Sequence, residues 1–294
     1  MIVGKYNIVS KIGEGKFGSV FLGERRSNGD KLAIKIEIVD PLHELKLLKQ
    51  ETTILNYLYS RGCRNVPFVY WYGLHETAPT LVMTYYTQSL HDYIISQNYS
   101  IERSLIDRFI RNMVEILESV HEHFVIHRDI KPQNFMIKGQ ELVLIDFGLA
   151  TIFVDNNKKH ILAKNDKTSI LGTPKFVSIN VHDGLEPSRR DDMISVGYIY
   201  LYLLSGGELP WQNIQLTSDH YENSCQNIYL ENHILHPKNV ERRRLKSWTS
   251  IIEFLERLSK MNNQNSIMAV ELYMKHVYNL KFDEKPMYKM YNNA

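Results

Sequence analysis

Cysteine is nearly absent from this chain of 294 residues. Only Cys63 and Cys225 occur, too few for a disulfide framework, and neither stands in a metal-binding pair. A reducing compartment is expected. Long apolar runs are also missing. The longest, Met193 to Leu204, falls well short of the ~20 residues a membrane-spanning helix needs. The opening stretch, MIVGKYNIV, lacks the apolar core of a signal peptide. A soluble intracellular protein with no membrane insertion is therefore expected. Neither sign of charge dominates: 35 basic against 33 acidic residues leave a formal net charge of +2. No field of that size draws nucleic acid or a membrane surface, so no direct nucleic-acid partner is expected. There is no internal repeat, and the one low-complexity patch, MNNQN at 261–265, reads as a polar turn. What remains is ordinary for a folded protein, 44% hydrophobic and 23% charged. The length suits one large domain or two modest lobes around a common cleft.

The first forty residues carry strand signals. Tyr6 to Ile12, Ser19 to Gly23 and Lys31 to Ile38 are β-branched and aromatic and are separated by glycine-bearing turns. From Glu44 to Tyr59 the period changes, with Leu45, Leu48, Thr52 and Leu55 at helical spacing. Strands follow around Phe68 to Trp71 and Thr80 to Tyr85. Ile106, Phe109, Ile110, Met113, Leu117 and Val120 then form one long amphipathic stripe. A further helix is predicted from near Asp192 to Leu204. Strands first and helices afterwards predict an α+β fold with a small β-rich lobe and a larger helical one.

Against this frame stand four clusters of chemistry-bearing residues. KIGEGKFGSV, residues 11–20, spaces Gly13, Gly15 and Gly18 as GxGxxG between two predicted strands. Glycines let a backbone approach phosphate oxygens and donate N–H groups to them. Alone the signal is weak, and the bland reading is a glycine-rich hairpin. A dinucleotide fold would place a helix after the glycines; a strand here favours a flap over a nucleotide. In LAIKI, residues 32–36, Lys35 interrupts an apolar strand. Such a lysine is often an edge residue facing solvent; buried, it needs a counter-charge, which Glu51 on the next helix can supply.

VIHRDIKPQNFMI, residues 125–137, crowds charge between apolar runs. Asp129 can accept a proton from a hydroxyl or orient it for attack. Lys131 can neutralise charge on a transferred group, and Asn134 offers an amide oxygen to a divalent metal. Asp146, in LVLIDFGLA, adds a carboxylate to that metal. Magnesium takes oxygen ligands shared between carboxylates and substrate phosphates. These are the parts of a phosphoryl-transfer site, where positioning and charge neutralisation do most of the catalysis. Chance occurrence of the His-Arg-Asp-x-Lys-Pro-x-Asn string is below roughly one in 10⁵, and the other clusters stand in matching order around it.

With these residues the chain resembles the eukaryotic protein kinase superfamily over nearly its whole length. The resemblance implies one kinase domain, 1–294, with an N-lobe of about 1–84 and a C-lobe of about 85–294. It implies ATP and Mg²⁺ as cofactors. Lys35, paired with Glu51, would bind the α- and β-phosphates, with Asp129 the base, Lys131 a phosphate contact, and Asn134 and Asp146 the metal ligands. The ATP site would also include Ile12, Gly13, Glu14, Gly15, Lys16, Phe17, Gly18, Ser19, Val20 and Ala33. Met83 falls at the gatekeeper position and Tyr85 in the hinge. Lys131 two places after Asp129, and Thr173 in LGTPKF, fit the serine/threonine class.

The stretch 175–212 lacks Ala-Pro-Glu and instead carries Ser-Ile-Asn, Ser-Arg-Arg-Asp-Asp and Leu-Pro-Trp-Gln. With LKFDEKPMYKMY near the end, it resembles the casein kinase I family. Asp192 takes the place of the buried aspartate that anchors the catalytic loop. The resemblance implies constitutive activity on acidic or pre-phosphorylated protein sites, a monomer, and residence in the nucleus or cytoplasm. Lys175, Arg189 and Arg190 match the anion-pocket region, although an arginine pair there can equally be a structural tie to nearby carboxylates and carbonyls. The loop after LPWQ lacks the family's basic stretch, the hinge MTYYTQSL lacks its usual acidic and Gly-Pro residues, and no long tail is expected after Ala294. A compact, minimally regulated member is expected.

Overall fold

The computed structural model describes residues 2–15, 18–38, 47–215, 230–261 and 264–291. Lys16, Phe17, Cys225, the predicted helix start at 44–46 and most of the loop after LPWQ lie outside these residues. In chain order the strands are β1 (Ile2–Val3), β2 (Tyr6–Gly15), β3 (Gly18–Arg25), β4 (Lys31–Glu37), β5 (Val69–His75), β6 (Ala78–Thr84), β7 (Val125–Ile126), β8 (Phe135–Lys138), β9 (Glu141–Leu144) and β10 (Thr151–Ile152). The helices are α1 (Leu47–Ser60), α2 (Leu90–Ser96), α3 (Arg103–Glu122), α4 (Ile179–His182), α5 (Arg189–Leu204), α6 (Pro237–Leu245), α7 (Trp248–Met261) and α8 (Gln264–Asn279). The fold is α+β, and it divides into two compact units, Met1–Leu90 with Asn134–Ala150, and His91–Gln133 with Thr151–Ala294.

The first unit is built on one antiparallel sheet of order β1-β2-β3-β4-β6-β5. Alternation along β4 sends Leu32 and Ile34 into a core with Val3, Tyr6 and Val82. The same period-2 rule turns Ala33 and Lys35 to the opposite face. α1 buries Leu48, Glu51, Thr52, Ile54, Leu55 and Leu58. Glu51 thus sits inside an apolar stripe, where a carboxylate is costly unless paired. The glycine loop is part of the β2–β3 hairpin, with Gly13 opposite Val20 and Gly15 opposite Gly18. β2 therefore runs three residues past the predicted Ile12, because β3 pairs with it to the tip.

The second unit packs helices around α5. Every residue from Asp191 to Leu203 is buried, so α5 is enclosed all round and lies in the unit's interior, with α3 and α8 against it. Gly197 permits the α8 contact, since a Cβ there would strike the Met274 sulfur and the Tyr273 ring. α5 starts at Arg189, three residues before the predicted Asp192. Its first turn is closed by a capping box in which Ser188 and Asp191 satisfy each other's backbone N–H groups, the Ser-x-x-Asp signature of a helix start. The MNNQN patch is shorter as a break than its composition suggests: α7 runs to Met261 and α8 begins at Gln264.

Candidate active site

In the first unit the residues converge on Lys35. Its Nζ donates to Glu51 Oε2 at 2.7 Å and to Asp146 Oδ1 at 2.8 Å. Burial works against the charge on Lys35, but the two carboxylates more than offset it and hold its pKa above the ordinary value. Burial pushes Glu51 upward, against the pull of Lys35 and with a further push from Asp146. The edge-lysine reading is thereby excluded, since Lys35 faces two carboxylates and not solvent. An ammonium has three N–H groups, and two are spent on this pair.

Asp146 adopts a left-handed backbone, φ 64°, which an aspartate tolerates better than most residues. Its side chain stays 43% exposed. Asn134 is buried, and its main-chain carbonyl accepts from the Ile145 N–H at 2.9 Å. One amide from the turn just before β8 and one carboxylate from the turn just after β9, which pairs with β8, are hard oxygen donors, which suits Mg²⁺. Among the described residues no group of three or more His, Cys, Asp or Glu side chains could hold a metal by itself. The remaining ligands would have to come from phosphate and water.

The glycines divide by cause. A Cβ at Gly18 would collide with the Ile36 carbonyl, so this glycine serves the packing of β3 on β4. At Gly13 and Gly15 a Cβ would meet the rest of the protein only at 3.7 Å or beyond. Among the described residues no protein atom accounts for those two, which fits a loop meant to approach a ligand. Ala33 pairs with Met83, both buried. Tyr85 follows β6 half-buried; Ile12 and Glu14 are exposed; Ser19 and Val20 are half-buried.

In the second unit Asp129, Lys131 and Thr173 form a closed triangle. Lys131 Nζ donates to Asp129 Oδ2 at 2.6 Å and to Thr173 Oγ1 at 3.1 Å, and the Thr173 hydroxyl donates to Asp129 Oδ1 at 2.7 Å. Gly172 makes the close approach possible: its φ is +96°, and a Cβ would lie 2.6 Å from the Arg128 carbonyl. Asp192 holds the loop beneath. It accepts from the His127 and Arg128 N–H groups at 2.8 and 2.9 Å and from His121 Nε2 at 3.0 Å. Burial favours its neutral form, yet the hydrogen bond from His121 and the other N–H donors keep its pKa below the usual carboxylate value.

The three expected anion-pocket residues are differently engaged. Arg189 donates to the Asp283 carbonyl and lies over the Phe153 ring; Arg190 reaches the Leu280 carbonyl at 3.4 Å and faces Phe282. Both arginines thus make the structural tie to carbonyls. Lys175 Nζ sits 4.0 Å from the centre of the Tyr202 ring, and burial pulls its pKa down to about 8.

Sequence reasoning missed His121 and Lys246 and gave Tyr288, the closing tyrosine of the LKFDEKPMYKMY segment, no role. His121 continues the α3 stripe four residues after Leu117, a signal that was readable. The partners of Tyr288 and Lys246 are too distant in sequence for any local pattern to reveal.

A sheet-rich unit with a carboxylate-clamped lysine, and a helical unit with an anchored Asp-Lys pair, define a phosphotransferase class. The sequence matches the family profile described as protein kinase domain over residues 6–278, and the chain belongs to that family. Membership carries transfer of phosphate to proteins, with ATP as donor and a divalent metal, usually Mg²⁺. Among the described residues no helix is long and apolar enough to cross a membrane.

Proposed function

We propose that this chain is a monomeric serine/threonine protein kinase of the casein kinase I type, its kinase domain spanning 1–294. It acts in the nucleus or cytoplasm on acidic or pre-phosphorylated protein segments without needing activation. The observation that carries the hydroxyl specificity is the triangle of Asp129, Lys131 and Thr173. There a β-hydroxyl already donates to Asp129 and accepts from Lys131, the two contacts a substrate serine or threonine needs.

In the reaction the substrate hydroxyl oxygen attacks the γ-phosphorus of ATP, its proton passes to Asp129, and ADP leaves. Lys131 offsets charge on the transferred phosphoryl group. Lys35, with its remaining N–H, holds the α- and β-phosphates. The oxygens of Asn134 and Asp146 would hold Mg²⁺, which supplies charge neutralisation at the phosphates when bound. A positioned base of this kind contributes about 10²–10⁴-fold. Lys175, cationic at neutral pH, is the residue that reads an upstream anionic group, while Arg189 and Arg190 hold the C-terminal segment.

The test is phosphate transfer from labelled ATP and Mg²⁺ to a pair of serine peptides, one carrying phosphoserine three residues upstream, with Asp129→Asn as control. Preference for the primed peptide that is lost in Lys175→Ala supports the reading. Equal transfer to both peptides keeps the kinase and removes the anion preference. Phosphotyrosine as the only product on a mixed peptide overturns the serine/threonine assignment.

A further inference from the structure

Asp192 is reached from its far side by a chain of side chains that ends near the C-terminus. Tyr288 Oη lies 2.7 Å from His121 Nδ1, and His121 Nε2 lies 3.0 Å from Asp192 Oδ2. Tyr288, His121, Asp192 and His127 are all at most 3% exposed, so water does not complete any of these bonds.

The direction of each bond follows from chemistry. A carboxylate can only accept, so His121 Nε2 must carry hydrogen. Burial lowers the His121 pKa, which leaves one ring proton and makes Nδ1 an acceptor. The phenol pKa of Tyr288 is raised by burial, so Tyr288 keeps its hydrogen and donates it. Which nitrogen of a histidine is protonated is set by the bond the other makes. Tyr288, donating to Nδ1, therefore reinforces the tautomer that lets His121 donate to Asp192.

Asp192 in turn restrains strained backbone. Arg128 has φ 70°, a left-handed conformation that is strained for a non-glycine residue and persists only where the surroundings hold it. The Asp129 N–H, one residue on, turns back to His127 Nδ1 at 3.3 Å.

We propose that Tyr288 and His121 are positioning residues for the catalytic loop, acting through Asp192 on the backbone that aims Asp129. The inference rests on the reading of Asp129 as the base. Neither residue touches substrate; Tyr288 acts through His121, and His121 through Asp192.

The experiment compares wild type, Tyr288→Phe and Asp129→Asn for transfer of phosphate to the primed serine peptide. It adds thermal unfolding and the ¹⁵N shifts of the His121 ring. Phe keeps the ring and removes only the donor. The expected result is a kcat lower by about tenfold, in the range for lost outer-shell hydrogen bonds, with KM for ATP unchanged and Tm within a few degrees. The His121 signal is expected to lose its pure Nε2–H character. A kcat within twofold of wild type, or a fall that disappears when assays are run well below the transition, overturns the relay. So does an unchanged ¹⁵N pattern. If Asp129→Asn is itself active, the reading of the loop fails instead, and the two failures are distinguishable.

Discussion

Lys35 and Lys246 are both lysines drawn into the interior, one in each unit, and the protein treats them in opposite ways. Lys35 is met by two carboxylates and its pKa rises. Lys246, with no exposure at all, is met by the carbonyls of Pro174 at 2.8 Å and Val177 at 2.6 Å and by His182 Nε2 at 3.2 Å. The rings of Tyr198 and Trp211 lie 4.9 and 5.5 Å away. Its pKa falls well below the ordinary value, first from burial and then from Arg242. Three acceptors match the three N–H groups of an ammonium, but none brings a negative charge. The lesson is that counter-charge, not burial, separates a lysine that can act on a ligand from one that serves as a strut. Lys246 pins residues 174–177, the stretch directly after Thr173.

The largest effect expected on this contrast is at Lys35. Lys35→Met should lower phosphate transfer at least about a hundredfold, as for removal of a preorganised charge contact, while circular dichroism shows the fold retained. Unchanged turnover would remove Lys35 from the site. Lys246→Met should be the mirror case. It leaves two buried carbonyls without a donor, at about 1–3 kcal/mol each, partly offset by relief of the buried amine. A net loss of about 2 kcal/mol is expected in urea unfolding, with a smaller loss of turnover than at Lys35. A more stable variant would mean that burying the amine costs more than its hydrogen bonds return.

The pH response sharpens the same contrast. Lys246 has a depressed native pKa, so between that value and about 10.5 the unfolded chain binds more protons than the folded one. Stability should rise with pH across that window. Lys35 has a raised native pKa; its contribution is complete below about 10.5 and is lost only as pH climbs through the native value. Unfolding measured from pH 7 to 10.5 should therefore show a rising term that Lys246→Met abolishes and Lys35→Met does not. The smallest effect is on the acid side. Burial, assisted by Lys246, lowers His182 to about 2. Below pH 6.5 the unfolded chain takes up a proton that the folded one refuses, so stability falls as pH drops. His182→Gln should reduce that slope by up to one proton; an unaltered slope would place the proton uptake elsewhere.

Much of this molecule was legible because its information is local. Strand alternation at β4, helical period in α1 and α3, and the spacing from His127 to Asp146 are short-range patterns. The Ser188-x-x-Asp191 cap was equally local, and it places the helix start more accurately than apolar content did. What could not be read depends on pairs far apart in sequence. Tyr288 meets His121 across 167 residues, and Lys246 meets Pro174 across 72. Arg189 and Arg190 show a related difficulty. A basic pair has the same sequence signature whether it faces a ligand or a carbonyl, and only packing against residues 280–283 distinguishes the two.

The hold of Asp192 on the His127 and Arg128 amides also has a consequence for slow motion. Loop amides usually exchange with solvent hydrogen through small local openings. These two are bonded to a carboxylate on the first turn of α5, a helix buried on every side. They should exchange at the slow rate of the α5 core, leaving this loop among the last parts of the chain to take up deuterium.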